Sequence, residues 1–382
     1  MPDTALPTVV AVGGDPGGAA ALAPVLTLLH REGKVRVTAY PHHEAIALWE
    51  AQGISVVRLP DRTTAGAARE TLIRESACVL VTSTSSGTRA GEKIFIAAAR
   101  RLGIPSLSVL DFWSNYRSRW ADTGGQPTCL PDLIAVMDAQ ARDEMVAEGF
   151  DPAMLVITGQ PAYDDLREWQ QGFTPAHRQD IRRSLGVGPE DLLVIFASQP
   201  ISAIYRTGES DPSYPGYTEC TVIRLLVDAL DRIEQEVGRH ILLAIRPHPR
   251  EDPRTFSAVG GRAISAGIVS APHPRDLVMA ADLVLGMTTA LLVEACYLGC
   301  IVGSLQPGLR GPDVLPTNRI GCSRGIYAAG DIKPAVEQLL LDPVVRREMR
   351  QRAVSLAPAS GATRLVADLI HRILRQDSRE PK

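Results

Sequence analysis

Strands and helices alternate along this chain with a regularity that predicts an α/β protein. The expected architecture is two Rossmann-like domains, each a doubly wound parallel sheet, facing a central cleft. Three observations carry that prediction. Short apolar runs that suit strands buried on both faces recur, as in Thr8–Val12, Val35–Tyr40, Cys78–Thr82, Ser106–Leu110 and Ile241–Ile245. Most of these runs lead through a turn of small or polar residues into a helical stretch. The alternation breaks at Gly159-Gln160-Pro161-Ala162-Tyr163-Asp164 and restarts at Asp191, and 382 residues suffice for two domains with separate cores.

The N-terminal half starts with strand Thr8–Val12 and the loop Gly13-Gly14-Asp15-Pro16-Gly17-Gly18. These glycines do not fit G-x-G-x-x-G, so a tight structural turn is expected, with Asp15 its one chemically capable side chain. Strand Val35–Tyr40 ends in Pro41-His42-His43-Glu44, read as a solvated loop because adjacent histidines do not readily face one metal. Helix Ala45–Gln52, strand Ser55–Leu59, helix Ala65–Glu75 and strand Cys78–Thr82 follow, then the hydroxyl-rich loop Ser83-Thr84-Ser85-Ser86-Gly87. After helix Gly91–Leu102, strand Ser106–Leu110 ends in Asp111-Phe112-Trp113-Ser114-Asn115-Tyr116. Acid, amide and aromatic groups at a strand's carboxyl end form either a ligand-facing cluster over Asp111–Arg119 or an aromatic plug. Strand Leu133–Val136, helix Ala139–Glu148 and strand Leu155–Thr158 complete this half.

The second half opens with strand Leu192–Ala197 and Ser198-Gln199-Pro200, then a Gly-, Pro-, Ser- and Tyr-rich loop over Ile201–Tyr217, the best candidate for a mobile segment. Helix Glu219–Val237 leads to strand Ile241–Ile245, which ends in Arg246 and His248 held extended by Pro247 and Pro249. Strand Asp282–Leu285 runs through Gly286-Met287-Thr288-Thr289 into an apolar helix carrying Glu294. Strand, small turn and helix N-terminus predict an anion site, where free amides, two hydroxyls and the helix dipole converge. The dipole is worth only about 0.3–1 kcal/mol, so Arg246 or His248 must supplement it. A buried, unpaired Glu294 would be costly, so a ribose or backbone partner is expected. Strand Ile301–Leu305 and helices Ile332–Leu341, Val344–Leu356 and Gly361–Leu374 close the chain; Leu365, Val366, Leu369, Ile370 and Leu374 form an apolar stripe on the last.

Composition excludes several classes. Lys and Arg number 40 against 43 Asp and Glu, a net charge of −3 with no long like-charge block, which argues against a nucleic-acid partner. Six cysteines show no CxxC spacing; Cys296 and Cys300 read as buried thiols, and a reduced, cytoplasmic setting is expected. The N-terminus lacks a basic segment before its apolar run, and no run is long enough for an integral membrane span. With no Asp-x-Asp motif and no His/Cys cluster at ligand spacing, neither metal nor other cofactor is expected. A homodimer is the one protein partner left open.

Several segments resemble a known superfamily. Leu155-Val156-Ile157-Thr158-Gly159-Gln160-Pro161, with Asp164 or Asp165, is similar to the "VTGNP…D" crossing segment of the non-hydrolysing UDP-N-acetylglucosamine 2-epimerases. Arg246-Pro247-His248-Pro249 resembles their His-Pro position and the His-Pro motif of bacterial sialyltransferases. Gly286-Met287-Thr288-Thr289-Ala290 with Glu294-Ala295 resembles the "TDSGG…EEA" segment. The resemblance covers most of the chain and implies the GT-B fold shared by these epimerases and nucleotide-sugar glycosyltransferases. It implies an N-terminal domain over 1–165 on the acceptor side, a nucleotide-donor domain over 166–360, and a last helix, 361–382, crossing back to the first. It also implies that Arg246, His248, Gly286, Thr288 and Thr289 bind the donor phosphates and that Glu294 holds the ribose.

The epimerase acid–base patterns, "GD" and "HVEAG", are absent where they should fall: those places read Val81-Thr82-Ser83-Thr84 and Ser108-Val109-Leu110-Asp111. Epimerisation needs positioned bases on a sugar carbon, whereas transfer needs one base and a stabilised leaving group. The main expectation is therefore a metal-independent glycosyltransferase acting from a nucleotide-sugar on a surface-glycan, lipid or natural-product acceptor. Asp15 is the preferred base, Asp111 the alternative, and His248 supports the leaving group. A UDP-N-acetylglucosamine 2-epimerase-like epimerase or hydrolase is the second reading, and a non-catalytic nucleotide-sugar-binding protein the third.

Overall fold

The computed structural model describes residues 6–59, 63–85, 91–122, 125–269, 273–356 and 360–377. The expected loop residues Ser86 and Gly87 lie outside the described residues. The chain forms two compact units, Met1–Asp165 with Pro358–Lys382, and Leu166–Ala357. Each is a six-stranded, wholly parallel sheet with flanking helices, the GT-B α/β class.

In the first unit the strands are β1 (Thr8–Gly13), β2 (Arg36–Pro41), β3 (Ala77–Thr82), β4 (Ser106–Val109), β5 (Leu133–Val136) and β6 (Leu155–Ile157), in the order 2-1-3-4-5-6. Every residue of β1 is buried, as its continuous apolar run requires. The expected strand Ser55–Leu59 reduces to one bridge between Val56 and Ala39. Val57 is 44% exposed, so that run has no second face to cover. The last helix, Ala362–Asp377, belongs to this unit, where Val366, Leu369, Ile370 and Leu374 join the core of the helix Pro16–Glu32. Leu365, expected in the same stripe, is exposed because it lies on the flank of a face centred on Val366, Ile370 and Ile373. Asp164 fixes where this helix begins: its carboxylate accepts the amides of Gly361 and Ala362, each at 2.9 Å, and of Thr363 at 2.7 Å. Farther along, Glu32 pairs with Arg364 and His371.

In the second unit the strands are β7 (Leu192–Ala197), β8 (Ile241–Arg246), β9 (Ser265–Ile268), β10 (Leu283–Gly286), β11 (Val302–Leu305) and β12 (Arg324–Ile326), in the order 12-11-10-7-8-9. β9 and β12 are the edges, and neither announces itself in the sequence: Ser265–Ile268 is mostly exposed and Arg324–Ile326 is three residues long. The segment Ile201–Tyr217, expected to be mobile, is largely exposed but anchored at its ends by Ile201, Tyr214 and Tyr217. It contains the helical turn Ile201–Ile204, and Tyr214 and Tyr217 are buried in the core. Its Gly216, at φ +99°, passes so close to Gly308 that a Cβ would stand 2.2 Å from the Gly308 carbonyl oxygen.

Candidate functional site

In the second unit the middle strand β7 sets the geometry. Ala197 is in register with Arg246 on one side and with Gly286 on the other. Arg246 and Gly286 therefore end the two strands that flank β7, at the same end of the sheet and roughly 10 Å apart at two inter-strand spacings. The Arg246 guanidinium is half-buried and has no partner among the described residues. Burial lowers its pKa below the ordinary arginine value, the mark of a desolvated cation without a counter-charge. Two residues on, the His248 amide donates to Glu251 Oε2 at 2.5 Å, and the Ser198 hydroxyl donates to Glu251 Oε1 at 2.8 Å. Burial, opposed by these two bonds, pushes the Glu251 carboxyl above its ordinary value. The Arg250 amide donates to His248 Nδ1 at 3.1 Å. In the neutral ring that bond places the proton on Nε2, so Nε2 is a donor.

The turn after β10 is tied to the loop after β7. Gln199 Oε1 accepts the Thr288 amide at 2.7 Å and the Thr288 hydroxyl at 3.3 Å. Thr289 is the N-cap of the helix Ala290–Tyr297, and its hydroxyl accepts the Leu291 amide at 3.4 Å. Two of the turn's amides are thus already engaged, which leaves charge neutralisation of an anion chiefly to Arg246. Gly286 serves packing: a Cβ there would stand 2.8 Å from the Ala197 carbonyl oxygen.

Glu294 meets a partner that sequence reasoning missed. Arg275 Nε donates to its Oε2 at 2.8 Å, and the same guanidinium lies over the Trp169 ring, 5.4 Å from the centroid. Trp169 Nε1 donates to Asp276 at 2.8 Å, which holds the indole in place.

In the first unit the glycine loop is shaped by what presses on it. A Cβ at Gly14 would stand 2.1 Å from the His42 ring, and one at Gly17 would stand 2.5 Å from Asp111 Oδ2. The structural-turn reading of these glycines holds for that reason. Asp15 is the N-cap of the helix Pro16–Glu32, yet its side chain makes no cap bond; its amide donates to Ser85 Oγ at 3.0 Å. His42 is not in a solvated loop. Its side chain is 14% exposed and its Nε2 lies 2.9 Å from Glu92 Oε2. Ser83 and Ser85 donate to Glu92 Oε1 at 3.0 and 2.7 Å. Burial raises the Glu92 carboxyl, but His42, through its bond and charge, and then Ser85 hold it below the ordinary value. His42 Nδ1 and Gln160 Oε1 are both buried without a hydrogen-bond partner.

Asp111 is engaged rather than poised: its Oδ1 accepts from Thr84 Oγ1 at 2.7 Å and from Arg119 at 2.5 Å. Gln160 donates to the Asp111 carbonyl at 2.8 Å. Trp113 and Tyr116 are buried, donating to Asp138 and Glu144 at 2.8 and 2.6 Å, so the aromatic part of this segment is a plug. The sequence thus locates Arg246, His248 and Thr288 at one sheet edge, and Asp15 and Asp111 beside the glycine loop. It misses Gln199, Glu251, Arg275, His42 and Glu92, and reaches Arg119 only as the end of the Asp111–Arg119 cluster. Of these only Gln199 carried a usable signal, a polar residue just past a buried strand.

No protein-family model matches the chain, and no curated protein sequence does. Solved structures do. S. aureus MnaA, in a co-structure with UDP, is similar at 13% identity and TM-score 0.71, covering 99% of each chain. UDP-GlcNAc 2-epimerase from Neisseria meningitidis, bound to UDP-GlcNAc, is similar at 12% identity and TM-score 0.70, over 96% of this chain and 100% of that one. A glycosyltransferase from Rickettsia africae matches at 11% identity and TM-score 0.66, over 98% and 100%. At these identities the likeness is one of fold, and it is the GT-B fold over the whole chain. Among the described residues no helix is long and apolar enough to cross a membrane.

Proposed function

We propose that this protein acts on a nucleotide-activated amino sugar of the UDP-N-acetylglucosamine kind. In this reading the strand ends of the second unit hold the diphosphate and Glu294 holds the ribose. The observation that carries it is Arg246, a half-buried cation with no counter-charge among the described residues, in register with the turn that bears Thr288. Such a charge costs stability unless an anion comes to it. His248, with its proton on Nε2, adds a neutral donor on the same loop. In transfer or hydrolysis, the bond between the anomeric carbon and the diphosphate breaks and the electron pair leaves with the nucleoside diphosphate. A guanidinium and an imidazole N–H favour that departure without a metal ion.

Epimerisation or hydrolysis of the nucleotide-sugar ranks ahead of glycosyl transfer, reversing the expectation from sequence. The similarity to an epimerase bound to UDP-GlcNAc supports this order. So does the first unit, which sets the His42–Glu92 pair against the glycine loop although the epimerase sequence patterns are missing. Proton movement on a sugar carbon needs such groups. Transfer stays as the second reading because Asp15, at the N-cap of the helix Pro16–Glu32 beside the glycine loop, is the carboxylate a single-base reaction would use. Incubation with UDP-GlcNAc and no acceptor, followed by proton NMR of the anomeric region, tests the order. The 2-epimer, or free UDP with free sugar, is the expected product. Consumption only on adding an acceptor would support transfer, and neither binding nor consumption would overturn the proposal.

A further inference from the structure

We propose that the second unit carries another anion site, at the opposite end of its sheet from Arg246, that takes a phosphate dianion. Asp282 and Ile301 immediately precede β10 and β11 and mark that edge, with the whole of the four-residue β10, about 13 Å long, between it and the turn that bears Thr288. A cavity of about 170 Å³ opens there, lined by Arg178, Asp282, Gly299, Cys300, Arg346 and Arg350 among others.

The charges around it do not balance. Asp282 is the one carboxylate lining the cavity, and it is already saturated: Arg178 reaches Oδ1 at 2.8 Å, while Arg182 and the Leu193 amide reach Oδ2, each at 2.9 Å. Arg346 is anchored by the carbonyls of Asp282, Leu339 and Leu340 at 3.0, 2.7 and 3.1 Å. Arg350, one helical turn farther on, is exposed and has no partner among the described residues. Four guanidiniums thus meet one carboxylate. Burial first, then repulsion from Arg350 and Arg178 against the pull of Asp282, holds Arg346 below its ordinary pKa. Burial pushes the Cys300 thiol up to about 12, so it stays neutral and adds no negative charge.

A fixed guanidinium fork beside a free one is the chemistry that grips a tetrahedral oxyanion. The cavity is smaller than the roughly 300–1,000 Å³ of pockets that enclose a drug-sized ligand, so the group it fits is the phosphate itself, free or on a small ester. Helix capping accounts for Arg346 and ion pairing for Arg178, but neither accounts for Arg350. The test is calorimetric titration with inorganic phosphate at constant ionic strength, in an Arg246→Gln background so that the proposed nucleotide site does not contribute. One phosphate should bind per chain. Adding Arg350→Gln should weaken it roughly ten- to a hundredfold, with the melting temperature unchanged. Glucose 1-phosphate as a second titrant separates the sources: tighter binding assigns the site to an ester, equal binding to the free ion. Binding absent from Arg246→Gln, or unchanged in the double variant, would overturn the proposal and leave the nucleotide reading untouched.

Discussion

The imidazole of His42 and the carboxylate of Glu92 meet at 2.9 Å beneath the glycine loop, while the other ring nitrogen of His42 is buried and unpartnered. A proton on that second nitrogen would be an unsatisfied buried donor, so of the two tautomers the one protonated on Nε2, which donates to Glu92, fits the surroundings. Glu92→Gln keeps an oxygen for Ser83 and Ser85 but turns an amide N–H₂ toward His42. The expected outcome is a folded protein whose His42 carries its proton on Nδ1, read from imidazole nitrogen shifts by NMR. An unchanged tautomer would show that Glu92 does not govern the ring.

Asp164 joins the crossing segment to the last helix through three backbone amides. These are charge-assisted bonds at a helix N-terminus. Asp164→Ala should cost about 1–3 kcal/mol, measured by denaturant unfolding. Asp164→Asn, which keeps one neutral acceptor, should cost less; a loss equal to that of Asp164→Ala would mean that the stabilisation rests on the charge alone.

Asp313 supplies a pH dependence. Burial raises its carboxyl, but Gln306 at 2.9 Å, Tyr327 at 2.7 Å, the Leu315 amide at 2.9 Å and Asn318 at 2.7 Å hold it below the ordinary value. With the folded value below the unfolded one, its stabilisation is complete above the unfolded carboxylate value of about 3.9. That stabilisation is lost as pH falls through the folded value. Asp313→Asn should therefore lower the melting temperature at pH 7 and narrow its gap to wild type as pH falls below about 4. A gap independent of pH would contradict this.

Arg275 and Glu294 make a second test of roles. Their side chains are 11% and 21% exposed, so removing one partner should cost a substantial part of the roughly 3–5 kcal/mol typical of broken buried pairs. Arg275→Met should destabilise the unit. Glu294→Gln should lower UDP affinity, measured well below both melting points, if the carboxylate also holds the ribose. Unchanged affinity would confine Glu294 to structure.

The fold was legible because buried parallel strands write themselves as continuous apolar runs, and the prolines around His248 marked a strand end. Ser265–Ile268 and Arg324–Ile326 were not legible, since an edge strand needs little apolar surface. Site residues just past buried strands, such as Arg246, could be read from position alone. Their partners could not: Gln199 and Thr288 are 89 residues apart, and His42 and Glu92 are 50 apart. Register across the sheet, not sequence spacing, brings them together. The same blindness made His42 look solvated and gave Glu294 no arginine.

Arg246, in the proposed function, waits for the diphosphate of a nucleotide. Titration of UDP into wild type and Arg246→Gln, with the melting temperature of each unliganded protein, tests it most directly. The variant should bind UDP at least tenfold more weakly, a loss of roughly 1.5–3 kcal/mol. The unliganded variant should melt no lower than wild type, because a desolvated, unpaired charge has been removed. Equal UDP affinity in the two proteins would contradict it.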